Sequence, residues 1–107
     1  MAIIFMYTAL MTYSELDKHM MREHLLIINT TPLGMYPNVR EAPSLPYEAM
    51  SERNLLYDLV YNPPQTEFLK RGKERGAATC NGAEMLMIQA EESWRIWNAP
   101  VSDSLLP

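Results

Sequence analysis

The segment Leu25 to Met35, LLIINTTPLGM, constrains the chain more than any other. An unbroken apolar run, Leu25-Leu26-Ile27-Ile28, stops at Asn29-Thr30-Thr31-Pro32, and Gly34 follows at once. Such a run reads as a fully buried parallel strand ending in a polar loop. In open α/β sheets, ligands bind just outside the carboxyl ends of such strands. The pattern recurs. Leu55 to Tyr61 is a second apolar run that breaks at Asn62-Pro63-Pro64, and Ala77 to Cys80 is a third that breaks at Asn81-Gly82.

Helical signals lie between these runs. Ser14, with Asp17 three residues on, reads as the N-cap of a helix to about Glu23 whose Leu16, Met20 and Met21 face a core. Gly34 to Ser44 is rich in turn formers, and Pro46 opens a short helical turn through Met50. Strands are expected over Leu25 to Asn29, Asn54 to Tyr61 and Ala77 to Cys80. Thr66 caps a helix that ends near Arg75, with Gly76 as its left-handed terminator. A last helix spans about Gly82 to Trp97. Strands alternating with helices imply an α/β fold with about three parallel strands and flanking helices.

Composition excludes several function classes. The net charge of −4 and pI near 5.1 give no electrostatic footprint for nucleic acid. Lys70, Arg71, Lys73 and Arg75 cluster, but Glu67 and Glu74 lie among them, so they read as a solvated helix face. The single cysteine, Cys80, forbids an internal disulfide and fits a reducing cytoplasm. His19 and His24 are five apart, off the helical spacing of a metal pair, so no metal is expected. Residues 1–11 are apolar but lack a basic flank and are too short to span a bilayer, so neither a signal peptide nor a membrane anchor is expected.

The three strand-end junctions carry a family resemblance. Asn29-Thr30-Thr31-Pro32-Leu33-Gly34-Met35, then Tyr57-Asp58-Leu59-Val60-Tyr61-Asn62-Pro63, then Asn81-Gly82 with Met85-Leu86 and Gln89-Ala90, resemble the C-terminal half of shikimate dehydrogenase in order and spacing. The likeness runs from about Thr12 to Trp97. It implies that residues 12–98 are the C-terminal half of an NADP-binding, Rossmann-like three-layer domain, with 1–11 an atypical lead-in and 99–107 a tail. The implied activity is NADP-dependent reduction of 3-dehydroshikimate to shikimate.

Each junction admits a bland and a chemical reading. Asn29, Thr30 and Thr31 can cap the next turn, or can hold a ribose or nicotinamide through hydroxyl and amide groups. The resemblance implies the latter for Thr31, with Asn29 and Pro32 shaping the loop. It also implies that Leu59 lies near the nicotinamide and that Tyr61 reaches the shikimate carboxylate. Gly82 would contact the carboxamide, Leu86 would pack on the ring, and Gln89 would bond a shikimate hydroxyl. On pattern alone Tyr61 is packing at a strand end. Gln89, at i,i+4 spacing with Met85, Ser93 and Trp97, could equally make an inter-helix hydrogen bond. Asp58, inside an apolar strand, must be hydrogen-bonded if buried and reads as structural. Glu84 stands where many family members carry a glycine.

The four glycines, Gly34, Gly72, Gly76 and Gly82, cannot form G-x-G-x-x-G. Nothing in the chain corresponds to the family's catalytic lysine and aspartate. The chain alone is therefore expected to be inactive. A second class of function is a non-catalytic interaction module, or a split-enzyme half, that pairs through an exposed strand edge.

Overall fold

A computed structural model of the chain describes residues 2–4 and 9–100. Three parallel strands form the main sheet: β3 (Leu26–Asn29), β4 (Leu55–Asp58) and β5 (Ala78–Cys80), in the order β3-β4-β5. Leu26 lies beside Leu55, Asn29 beside Asp58 and Leu55 beside Ala78. The helices are α1 (Lys18–Glu23), α2 (Glu67–Glu74) and α3 (Ala83–Asn98), with short 3-10 turns at Tyr13–Glu15 and Tyr47–Ala49. The expected α/β architecture of three parallel strands with flanking helices is present.

One element was absent from the sequence reading. Within the apolar lead-in, β1 (Ala2–Ile4) and β2 (Ala9–Met11) pair antiparallel, with Ile3 beside Leu10. The tail expected at 99–107 falls outside the described residues beyond Pro100.

Local chemistry explains most boundaries. Asp17, not Ser14, caps α1, its Oδ1 accepting the Met20 amide at 2.9 Å. Ser14 instead lies inside the preceding 3-10 turn, which Thr12 and Glu15 close as a reciprocal capping box. Thr66 caps α2 through the Leu69 amide, as expected. Gly76 ends α2 at φ +88°, a conformation that costs a residue with a Cβ. Pro46 precedes the turn at Tyr47 rather than opening it.

The core lies on one face of the sheet. Leu56 and Phe68 are fully buried, and Leu16, Met21, Tyr47, Ala49, Met50, Leu69 and Ala77 pack with them. Tyr47 donates to the Pro43 carbonyl at 2.7 Å, meets Phe68 edge-on and lies beneath the Arg71 guanidinium. Lys70, Lys73 and Arg75 are exposed, as a solvated face requires. The opposite face is different. Leu26, Ile28 and Leu55 point there and remain 54%, 44% and 40% exposed. The expectation of a fully buried first strand is therefore corrected. An apolar run reports a strand able to be buried on both faces, but the cover must come from elsewhere, and β3 is the sheet's edge. Among the described residues, no helix is long and apolar enough to cross a membrane.

Candidate functional site

The carboxyl ends of β3 and β4 lie side by side, and a buried hydrogen-bond network fixes the loops that leave them. Asn29, the last residue of β3, is buried. Its Oδ1 accepts the Thr31 amide at 3.0 Å and the Thr31 hydroxyl at 2.6 Å. Its Nδ2 donates to Asp58 Oδ1 at 3.2 Å and to the Leu33 carbonyl at 3.5 Å. Asp58, the last residue of β4, has no exposed surface. It also accepts from the Val60 amide at 3.0 Å and the Thr66 hydroxyl at 2.6 Å. Its structural reading therefore holds. Three donors meet the buried carboxylate, which offsets the cost of removing it from water.

These bonds shape a cleft of about 450 Å³ between the two loops. Thr30, Thr31, Pro32, Met35 and Tyr36 line it from the β3 loop. Leu59, Val60, Tyr61 and Asn62 line it from the β4 loop. The Tyr36 amide donates to the Asn62 carbonyl at 3.3 Å, tying the loops together. The cleft sits where a parallel sheet presents its ligand site. Its walls combine apolar side chains with hydroxyl and amide groups, the usual makeup of a small-molecule site. Thr31 Oγ1 already donates to Asn29 and accepts the Leu33 amide at 3.2 Å. One lone pair remains, so toward a ligand Thr31 is an acceptor. The ionisable side chains of the lining are the phenols of Tyr36 and Tyr61, and the rest of the wall offers hydroxyl, amide and apolar surface for binding.

The six expected site residues divide. Thr31, Leu59 and Tyr61 come together in the cleft. Gly82 stands behind it. Its amide donates to the Val60 carbonyl at 3.2 Å, and a Cβ there would lie 2.1 Å from the Leu59 carbonyl oxygen. The close approach that the glycine permits is thus to the backbone of the cleft wall. Leu86 and Gln89 are exposed on α3 and do not line the cleft. No residue of α3 is buried, so the stripe of Met85, Gln89, Ser93 and Trp97 is not the core face its spacing suggested. The sequence reading assigned no site role to Met35, Tyr36, Val60 or Asn62. The signal for Tyr36 is the turn at Gly34, which returns the chain toward the β4 loop.

No protein-family model matches the chain. A shikimate dehydrogenase (NADP(+)) of Methanococcus aeolicus is 46% identical over 78 residues, covering 73% of this chain and 28% of the relative. The crystal structure of shikimate 5-dehydrogenase from Thermus thermophilus, in complex with NADP(H) and shikimate, superposes with a TM-score of 0.67 at 32% identity. That match covers 82% of this chain and 33% of the other. A 5-ketofructose reductase of Gluconobacter sp. strain CHM43 is similar at a TM-score of 0.63 and 33% identity, over 78% of this chain and 30% of the other. The chain thus spans about a third or less of the length of these proteins. These matches and the sheet define a piece of a Rossmann-like α/β domain. More narrowly, the chain is related to the C-terminal part of shikimate dehydrogenase.

Proposed function

We propose that residues 12–98 form the nicotinamide and substrate wall of an NADP-dependent shikimate dehydrogenase, which reduces 3-dehydroshikimate to shikimate in the cytoplasm. The observation that carries this is the convergence of Thr31, Leu59 and Tyr61 in one cleft at the ends of two parallel strands. NADPH supplies the hydride when bound. The residues present fit its nicotinamide end: Leu59 offers apolar surface, Thr31 an acceptor for a carboxamide N–H, and the Gly82 amide ties the cleft wall through the Val60 carbonyl. They do not fit its pyrophosphate. Gly34 lies in a loop, Gly72 inside α2, Gly76 after it and Gly82 before α3, so no glycine-rich turn opens a helix.

Tyr61 is half-exposed at the mouth of the cleft, where its phenol can bond a substrate carboxylate. Leu86 and Gln89 act only if a second lobe closes on α3 and carries substrate to them. Grafting residues 12–98 in place of the matching segment of the Methanococcus aeolicus enzyme tests the reading. NADPH-dependent reduction of 3-dehydroshikimate by the graft supports it, and a folded graft without that activity refutes it. The isolated chain is expected to turn over no substrate.

A second reading is a separately encoded half that pairs through a strand edge. It is favoured by the edge position of β3, where Leu25, Leu26 and Ile28 stay exposed. Co-expression with the remaining part of a relative tests it. Stable copurification supports it, and loss of copurification in Ile28→Pro, which removes an N–H that faces away from β4, assigns the contact to this edge.

A further inference from the structure

The hydrogen bonds beneath the cleft run in one direction only. Backbone groups set that direction, because an amide N–H can only donate and a carbonyl can only accept. The Thr31 amide donates to one side-chain atom of Asn29 at 3.0 Å, so that atom is Oδ1. The other atom faces the Leu33 carbonyl at 3.5 Å, so it is Nδ2 and a donor. Nδ2 also reaches Asp58 Oδ1 at 3.2 Å. Asp58 in turn receives the Val60 amide and the hydroxyl of Thr66, whose own oxygen already accepts the Leu69 amide. Partners on both sides therefore hold the Asn29 amide group in one orientation.

The consequence reaches Thr31. Its hydroxyl lies 2.6 Å from Asn29 Oδ1, an atom with nothing to donate, so its one hydrogen is committed there. The Leu33 amide donates to the same hydroxyl oxygen at 3.2 Å. Asn29 is 3% exposed, so water has little access to Oδ1 as a competitor. A threonine hydroxyl free to rotate donates or accepts as its ligand requires. Here it presents a single lone pair to the cleft.

We propose, building on the nicotinamide reading of the cleft, that Asn29 is a positioning residue that makes the cleft select a carboxamide over a ketone on the same ring. A carboxamide turns an N–H toward the Thr31 lone pair. A methyl ketone of the same shape brings only an acceptor oxygen and a methyl group, and either one leaves that lone pair without a donor. Sites built to bond a particular polar group reject analogues that lack it, because the site's own polar atom is left unpaired. Thr31 makes the contact, and Asn29 acts through it by fixing where the hydroxyl hydrogen points. With that hydrogen free, the same hydroxyl would serve both ligands.

The test titrates the 107-residue chain with nicotinamide and with 3-acetylpyridine, two neutral pyridines of nearly equal shape. Amide shifts of Thr31, Leu33 and Leu59 are followed by NMR to roughly 100 mM ligand. Nicotinamide should bind roughly five- to tenfold more tightly, the worth of one hydrogen bond. Thr31→Val keeps the volume and removes the lone pair, and Asn29→Ala frees the hydroxyl hydrogen. Each should bring the two affinities within about twofold of one another. A loop merely loosened by either change would weaken both ligands alike and leave their ratio unchanged. Should Asn29→Ala fail to fold, the wild type and Thr31→Val still decide. Equal affinities in the wild type, or a ratio unchanged in a folded variant, overturn the proposal and leave the cleft a pyridine site. Shifts with neither ligand overturn the nicotinamide reading itself, and this proposal with it.

Discussion

Asn29 and Asp58 end neighbouring parallel strands in register, and their buried side chains meet through a 3.2 Å hydrogen bond. That one contact joins the two loops of the cleft to the start of α2, because Asn29 holds Thr31 and Asp58 holds Thr66. The cleft is therefore as rigid as the polar network beneath it.

The first prediction concerns Asp58. Replacing it with alanine leaves the Val60 amide, the Asn29 amide group and the Thr66 hydroxyl facing a void. Stability should fall by about 3–5 kcal/mol in urea titrations. Asp58→Asn keeps the shape and one acceptor oxygen and should cost about 1–2 kcal/mol. Equal and negligible losses in both variants would contradict the network's role.

Gly82 gives the second. A Cβ would sit 2.1 Å from the Leu59 carbonyl, a backbone atom that cannot move without moving the cleft wall. Gly82→Ala should cost more than about 2 kcal/mol. At Gly76 the neighbours lie 3.6 Å away or farther and only the positive φ is strained, so Gly76→Ala should cost about 1–2 kcal/mol. Differential scanning calorimetry of the pair checks the order, and a reversal would count against the close packing described.

Tyr47 sets an alkaline limit. Burial raises its pKa, and the Arg71 guanidinium only partly opposes this. The fold therefore holds the neutral phenol, whereas the unfolded chain ionises near pH ~10. The resulting stability is complete below about pH 10 and is lost as pH climbs from there toward the raised folded value. Tyr47→Phe forfeits the bond to the Pro43 carbonyl, worth about 1 kcal/mol at neutral pH. Its stability should nevertheless decline less than that of the wild type above pH ~10. Parallel slopes for the two proteins in that range would refute the assignment.

Much of this was legible in the chain because the signals were local. Thr66 and Gly76 announce the ends of α2 through chemistry confined to one turn, and parallel pairing follows from alternation of element types. What failed depended on distant partners. The run Leu25 to Ile28 says strand, but nothing within it says that β3 lies at an edge. The stripe of Met85, Gln89, Ser93 and Trp97 has the spacing of a buried helix face, yet α3 buries no residue. Tyr36 and Asn62 reach the cleft only because two loops separated by many residues are tied together. The strands of the lead-in left no alternation of apolar and polar residues to read.

The central claim is that the cleft holds substrate through Tyr61, and steady-state kinetics of the grafted enzyme test it most directly. Tyr61→Phe should raise KM for shikimate about tenfold, the loss of one charge-assisted hydrogen bond, and leave KM for NADP unchanged. An unchanged KM for shikimate would contradict the assignment of this cleft.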